Sequence, residues 1–98
     1  MIFGWFDARA AQALGGDLAQ SFMKQVPADA RLSDRKFEAK AKSALKNIER
    51  GIADFKREHT LNAYQKAKLG NAFKWALKDG GYDAAYVDKL TDLLMLQL

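Results

Sequence analysis

Apolar residues recur every three or four positions along most of this chain, the period of a helix and not of a strand, and the stretches are separated by short glycine, proline or small polar breaks. In the first stretch Ala11, Leu14, Leu18, Phe22 and Val26 fall on one stripe. Asp7 has the side chain of an N-cap and Pro27 closes the stretch. Gly15-Gly16 interrupts it, at a cost of roughly 1 kcal/mol per glycine relative to alanine. The spacing predicts one helix over 7–25, bent or closely packed at the glycines. A new helix capped by Asp17 is the alternative.

The second stretch is the most one-sided. Ser33 serves as its cap, Asp34 suits the positive end of the helix dipole, and Leu32 with Phe37 has the spacing of a hydrophobic staple. Phe37, Ala41, Ala44, Leu45, Ile48, Ile52 and Phe55 form its apolar stripe, with Arg35, Lys36, Lys42, Lys46, Arg50 and Arg57 opposite. Thr60 or Asn62 opens a third helix. Leu61, Leu69, Phe73, Ala76 and Leu77 spread around it, with Tyr64 and Trp75 at one margin, which predicts a central position. Gly80-Gly81 stops it. Asp83 then caps a fourth helix with Tyr82 and Val87 as staple and Val87, Leu90, Leu94 and Leu98 as inner stripe. The expected fold is an all-α compact bundle of about four helices, over 7–25, 34–58, 61–79 and 84–97, joined by short loops in a single domain spanning 1–98.

Composition narrows the class. At 49% hydrophobic and 29% charged residues the chain has a globular balance, and with one proline its bulk is helix-forming residues. There is no cysteine, which excludes disulfides, zinc–thiolate sites and a cysteine nucleophile. No apolar run reaches the ~20 residues that span a bilayer. The segment Met1–Phe6 lacks the basic and apolar regions of a signal peptide, so the expected location is cytoplasmic.

The net charge of +4 is unevenly spread: residues 34–59 hold eight basic and five acidic groups, 60–79 four and one, and 80–98 one and three. The chain is thus positive in its middle and negative at its end, a polarity that can steer an acidic partner.

Candidate chemistry is sparse. His59 lies beside Glu58, with Asp54 one turn before, but one histidine and two surface carboxylates lack the convergent ligands of a metal motif. A histidine at a helix end, favouring the dipole, explains it. Ser21, Ser33 and Ser43 have no triad partner, the glycine pairs lack the setting of a phosphate loop, and Asp88 with Asp92 reads as a solvated face. No enzymatic activity, metal or cofactor is expected.

Two surfaces remain. A basic face is expected from Arg35, Lys42, Lys46, Arg50, Lys68 and Lys74, with Tyr64, Lys66, Phe73 and Trp75 interleaving aromatic and basic residues as single-strand binders do. Against it, Glu38, Glu49 and Asp54 interrupt the basic side, and a fourth helix with Asp83, Asp88 and Asp92 against Lys89 would repel a DNA groove. The termini are the stronger oddity. Phe3, Trp5 and Phe6 crowd the start around Gly4, and Leu93–Leu98 is apolar on more than one face, with Met95 and Leu96 outside the stripe that packing needs. Either the ends cover each other or they leave apolar surface for a partner, with Trp5 and Trp75 as anchors.

The expected function is a non-enzymatic helical protein-interaction module, self-associating or docking a protein partner through Phe3, Trp5, Phe6, Trp75, Met95 and Leu96. The alternative is a weak binder of nucleic acid or an acidic partner through the basic face. Docking on a membrane surface is a third option.

Overall fold

Each helix end leaves backbone groups without an intrahelical partner, so the residues able to satisfy them decide where helices start and stop. The computed structural model describes residues 8–27 and 34–98, with the backbone alone for 34–38. Among them lie four helices and no strand: α1 (Arg9–Gln25), α2 (Asp34–Glu58), α3 (Ala63–Asp79) and α4 (Ala84–Gln97). The chain is an all-α bundle.

The caps explain the boundaries. At the start of α3 the Gln65 amide donates to the Asn62 side chain at 2.8 Å and the Asn62 amide donates back to Gln65 Oε1 at 3.0 Å. This reciprocal box decides between Thr60 and Asn62, and it moves the helix start from the expected 61 to Ala63. At the end of α3, Gly81 takes φ +90°, a left-handed conformation that glycine adopts without Cβ strain. The Gly81 amide then reaches the Lys78 carbonyl at 3.1 Å and the Tyr82 amide the Leu77 carbonyl at 3.2 Å. Buried Leu77 and Tyr82 seal this Schellman turn. Asp83 accepts from the Tyr86 amide at 3.2 Å and opens α4, with Tyr82 and Val87 both buried as the staple requires. The start of α1 corrects the expectation: Ala8 holds the cap position with no side-chain hydrogen bond, and the helix begins at Arg9 and not at 7. Asp7, Leu32 and Ser33 lie outside the described residues, as does the Phe37 side chain.

The stripes converge as their periods demand. Ala11, Leu18 and Phe22 of α1, Ala44, Ile48 and Ile52 of α2, Leu69, Phe73 and Leu77 of α3, and Val87, Leu90 and Leu94 of α4 share one buried cluster. The tightest pairing is α1 on α3, and the loosest of the principal ones is α2 with α4. Gly15 permits the first. A Cβ built there would sit 2.3 Å from the Leu69 carbonyl oxygen and 3.1 Å from Ala72 Cβ, so α1 runs unbroken through its glycine pair and lies backbone-close on α3. At the far end of α1 the Tyr82 hydroxyl donates to the Val26 carbonyl, giving an orphan acceptor of the helix terminus a buried partner. Phe22 meets Tyr82 at 6.0 Å edge-on, and Tyr86 completes the aromatic group.

Two predictions follow from this packing. Gly15→Ala should destabilise the fold by about 1–3 kcal/mol, because backbone must move to admit the methyl. Gly16→Ala, with nothing within 4 Å of its Cβ, should stabilise by roughly 0.5–1 kcal/mol. Urea unfolding of the two variants reads the opposite signs. The second concerns Tyr86, whose pKa is raised from 10.0 to about 12, first by burial and then by the neighbouring Tyr82. A raised folded-state pKa means its contribution is fully present below pH 10 and is lost as pH climbs toward 12. Tyr86→Phe should flatten that part of the alkaline stability profile.

Candidate interaction surface

A long amphipathic helix stays partly uncovered when its neighbours are shorter or lie to one side. The 25 residues of α2 rise through roughly 37 Å and the 14 of α4 through roughly 21 Å. Because α4 only brushes α2, a seam is left open between them. Its centre is a cleft of about 80 Å³ between Leu45, Ile48 and Glu49 of α2 and Leu93, Leu94 and Leu96 of α4. Toward the start of α2 it runs into a depression of about 430 Å³ beside Lys42 and Lys46. Toward the end it meets another of about 380 Å³ beside Ile52, Lys56 and Arg57, with Gln97 shared. Lys56 Nζ crosses the seam there to the Gln97 carbonyl at 3.4 Å.

Two exposed leucines stand on this line. Leu96 is 80% exposed and Leu93 42%, although Leu94 between them is buried. Leu96 projects almost opposite the inner stripe, since two residues along a helix turn the side chain by roughly 200°. Lys42 and Lys46, both exposed and four residues apart, stand along the α2 rim.

The other expected residues are placed elsewhere. Met95 is half-covered on the opposite flank of α4, where its sulfur would lie 2.6 Å from a Cβ at Gly70, so glycine makes room for it against α3. Trp75 is 58% exposed on α3, with Lys78 Nζ 5.1 Å from its ring. On the same helix Lys68 Nζ lies 5.5 Å above exposed Tyr64. Lys74 faces Asp88 of α4 at 3.6 Å. Arg50 is exposed on the outer side of α2, and the Arg35 side chain is outside the described ones, as are Phe3, Trp5 and Phe6. Phe73 is fully buried, so its expected part in base stacking is corrected: it belongs to the core.

His59 stacks on Phe55 at 4.4 Å, one turn back in the chain, beside a depression of about 380 Å³ that Glu58, Thr60 and Gln65 also line. Asp54 is engaged by Arg57, and among the described residues no three histidine or acidic side chains are grouped to hold a metal. The Gln65 side chain there is committed to the α3 cap. Nor is any described helix long and apolar enough to cross a membrane.

Sequence reasoning set Leu93 with Leu96 in the apolar end of the chain but missed Leu45 as part of the same surface. The periodicity of either helix alone places Leu45 on an inner stripe, and only the shallow docking of α4 leaves it at a groove. The Trp75–Lys78 stack, by contrast, has a readable three-residue spacing. Set against protein-family models, curated proteins and solved structures, the chain has no match in any of the three. Its surface must therefore be read from its own chemistry.

The contrast between neighbouring leucines is measurable. Leu94→Ala should cost about 2–5 kcal/mol, as a buried truncation does. Leu96→Gln should change stability by less than about 0.5 kcal/mol. Chemical denaturation of both variants checks the assignment of one to the core and the other to the surface.

Proposed function

We propose that this chain is a non-enzymatic helical interaction module that docks a protein partner along the seam between α2 and α4. The observation that carries this reading is the juxtaposition of Leu93 and Leu96, exposed on α4, with half-buried Leu45 and the Lys42–Lys46 rim of α2. Apolar side chains in that position gain by being removed from water, at roughly 25 cal/mol per Å², while the lysines steer and orient what arrives. In the depression beside His59, that histidine is stacked on Phe55 and Gln65 is held at the α3 cap, which leaves Glu58 and Thr60 as the polar side chains of its described lining.

A second reading has its own observation. Tyr64, Lys68, Trp75 and Lys78 repeat aromatic and basic groups along one side of α3, a pattern suited to stacking on bases and neutralising phosphates. The two readings differ in salt dependence, since phosphate binding releases counterions and weakens steeply with salt, whereas apolar docking does not.

The test is a quantitative pull-down from cells that express the protein, at ~0.15 and ~0.5 M salt, a range that shortens electrostatic reach well below 10 Å. Wild type is compared with Leu96→Glu and with Trp75→Glu, and an untagged copy of the chain counts among the partners scored. The reading expects a partner that survives high salt, is lost at least about tenfold with Leu96→Glu and is kept with Trp75→Glu. Partners indifferent to Leu96→Glu, or only nucleic acid released by salt and by Trp75→Glu, would overturn it.

A further inference from the structure

A groove between helices is filled by a ridge of matching chemistry. Here the floor is lined by Leu45, Ile48 and Leu93, with Glu49 at its α2 edge, and the α2 side is rimmed by Lys42 and Lys46. Its complement is a helix with an exposed leucine ridge and a carboxylate flank. The chain carries one such helix on its own surface. On α4 the outward Leu96 and Leu93 are bordered on the side away from α2 by Asp92 and Asp88, both exposed, and Asp88 leans toward Lys74 of α3. Across this face the order is therefore acidic flank, leucine ridge with Lys89 on it, groove edged by Glu49, and basic rim.

Building on the docking reading above, we infer that the occupant of the seam is a second copy of this chain, its α4 ridge seated in the α2–α4 groove of the first. Such an interface is isologous: each contact occurs twice. A two-fold axis along the helices turns the acidic flank of one copy onto the basic rim of the other. An axis across them would set like charges face to face, so the charges select the first arrangement.

The register agrees. Leu93 and Leu96 share the cleft with Leu45, while Gln97 is reached by Lys56 farther along α2, and so the two helices advance in the same sense along the seam. The lysines of the α2 rim and the carboxylates of the α4 flank have matching spacing. Both pairs repeat at four residues, about one helical turn.

Area sets the strength. A face roughly 21 Å long and two helix diameters, ~20 Å, wide covers ~400 Å² per copy, ~800 Å² in all, below the ~1,200 Å² at which stable interfaces begin and in the range of weak, transient ones. The dimer should therefore be concentration-dependent, with a dissociation constant on the order of micromolar to hundreds of micromolar.

Sedimentation equilibrium from ~1 µM to ~1 mM brackets that range. The mass should rise from the 11.0 kDa of one chain toward twice that value. Leu96→Glu should abolish the rise. The pair Lys42→Glu/Lys46→Glu, and separately Asp88→Lys/Asp92→Lys, should each weaken association about tenfold or more, and all four together should restore it by reversing every pair. Each substituted side chain is exposed, and circular dichroism confirms that the variants stay folded. A mass of 11.0 kDa throughout overturns the second-copy proposal, and so does a dimer indifferent to Leu96→Glu or not restored by the fourfold reversal. If a monomeric chain still captures a Leu96-dependent partner in the pull-down, the docking reading stands without its dimer. If it captures none, both fall.

Discussion

The architecture depends on how closely α1 can approach α3, and that is set by a missing methyl group at Gly15. With a Cβ occupying the Leu69 carbonyl's space, the two helices would have to separate or shift. Helix pairs ordinarily lie 8–10 Å apart according to the side chains between them, so a glycine at the crossing draws the axes together. Close approach buries Leu18, Phe22, Leu69 and Phe73 together and makes α1–α3 the bundle's central pair. α2 and α4 are then arranged around that pair and meet each other only at their margins. The open seam is thus the outer consequence of tight packing at the centre.

The same logic accounts for the polar groups. The Tyr82 hydroxyl donates to the carbonyl of Val26, which caps α1, so the loop between α3 and α4 is tied to the far end of α1 by a buried hydrogen bond. Gly81 makes the turn that delivers Tyr82 there, and the Leu77–Tyr82 contact closes it. Polar satisfaction and apolar burial are served by one side chain, an economical solution for a chain of 98 residues whose core is small.

The local determinants of this fold were readable in the chain. The α2 stripe from Ala41 onward, the Asp83 cap and the Gly80-Gly81 stop depend on residues within a turn or two of each other, and the structure has them in place. The choice between Thr60 and Asn62 needed Gln65, three residues on, to be recognised as the other half of a capping box. The Gly15-Gly16 pair was ambiguous because its meaning lies in a helix more than fifty residues away. Leu96 stood out because it exceeds what one inner stripe can bury. Its companions Leu45 and Lys46 did not, since relating them to Leu96 requires the docking of α4 on α2, which periodicity does not encode. Phe73 shows the reverse: interleaved with lysines in sequence, it faces the core in space.

The seam between α2 and α4 gathers exposed leucine and paired charge onto one face, while Trp75 and Tyr64 lie on another helix. Nuclear magnetic resonance of backbone amides over a dilution series distinguishes these faces residue by residue. If the seam is the docking surface and a second copy its occupant, concentration-dependent shifts should cluster on residues 42–49 and 88–97 and leave 64–78 still. Shifts confined to 64–78, or spectra unchanged from micromolar to millimolar concentration, would contradict it.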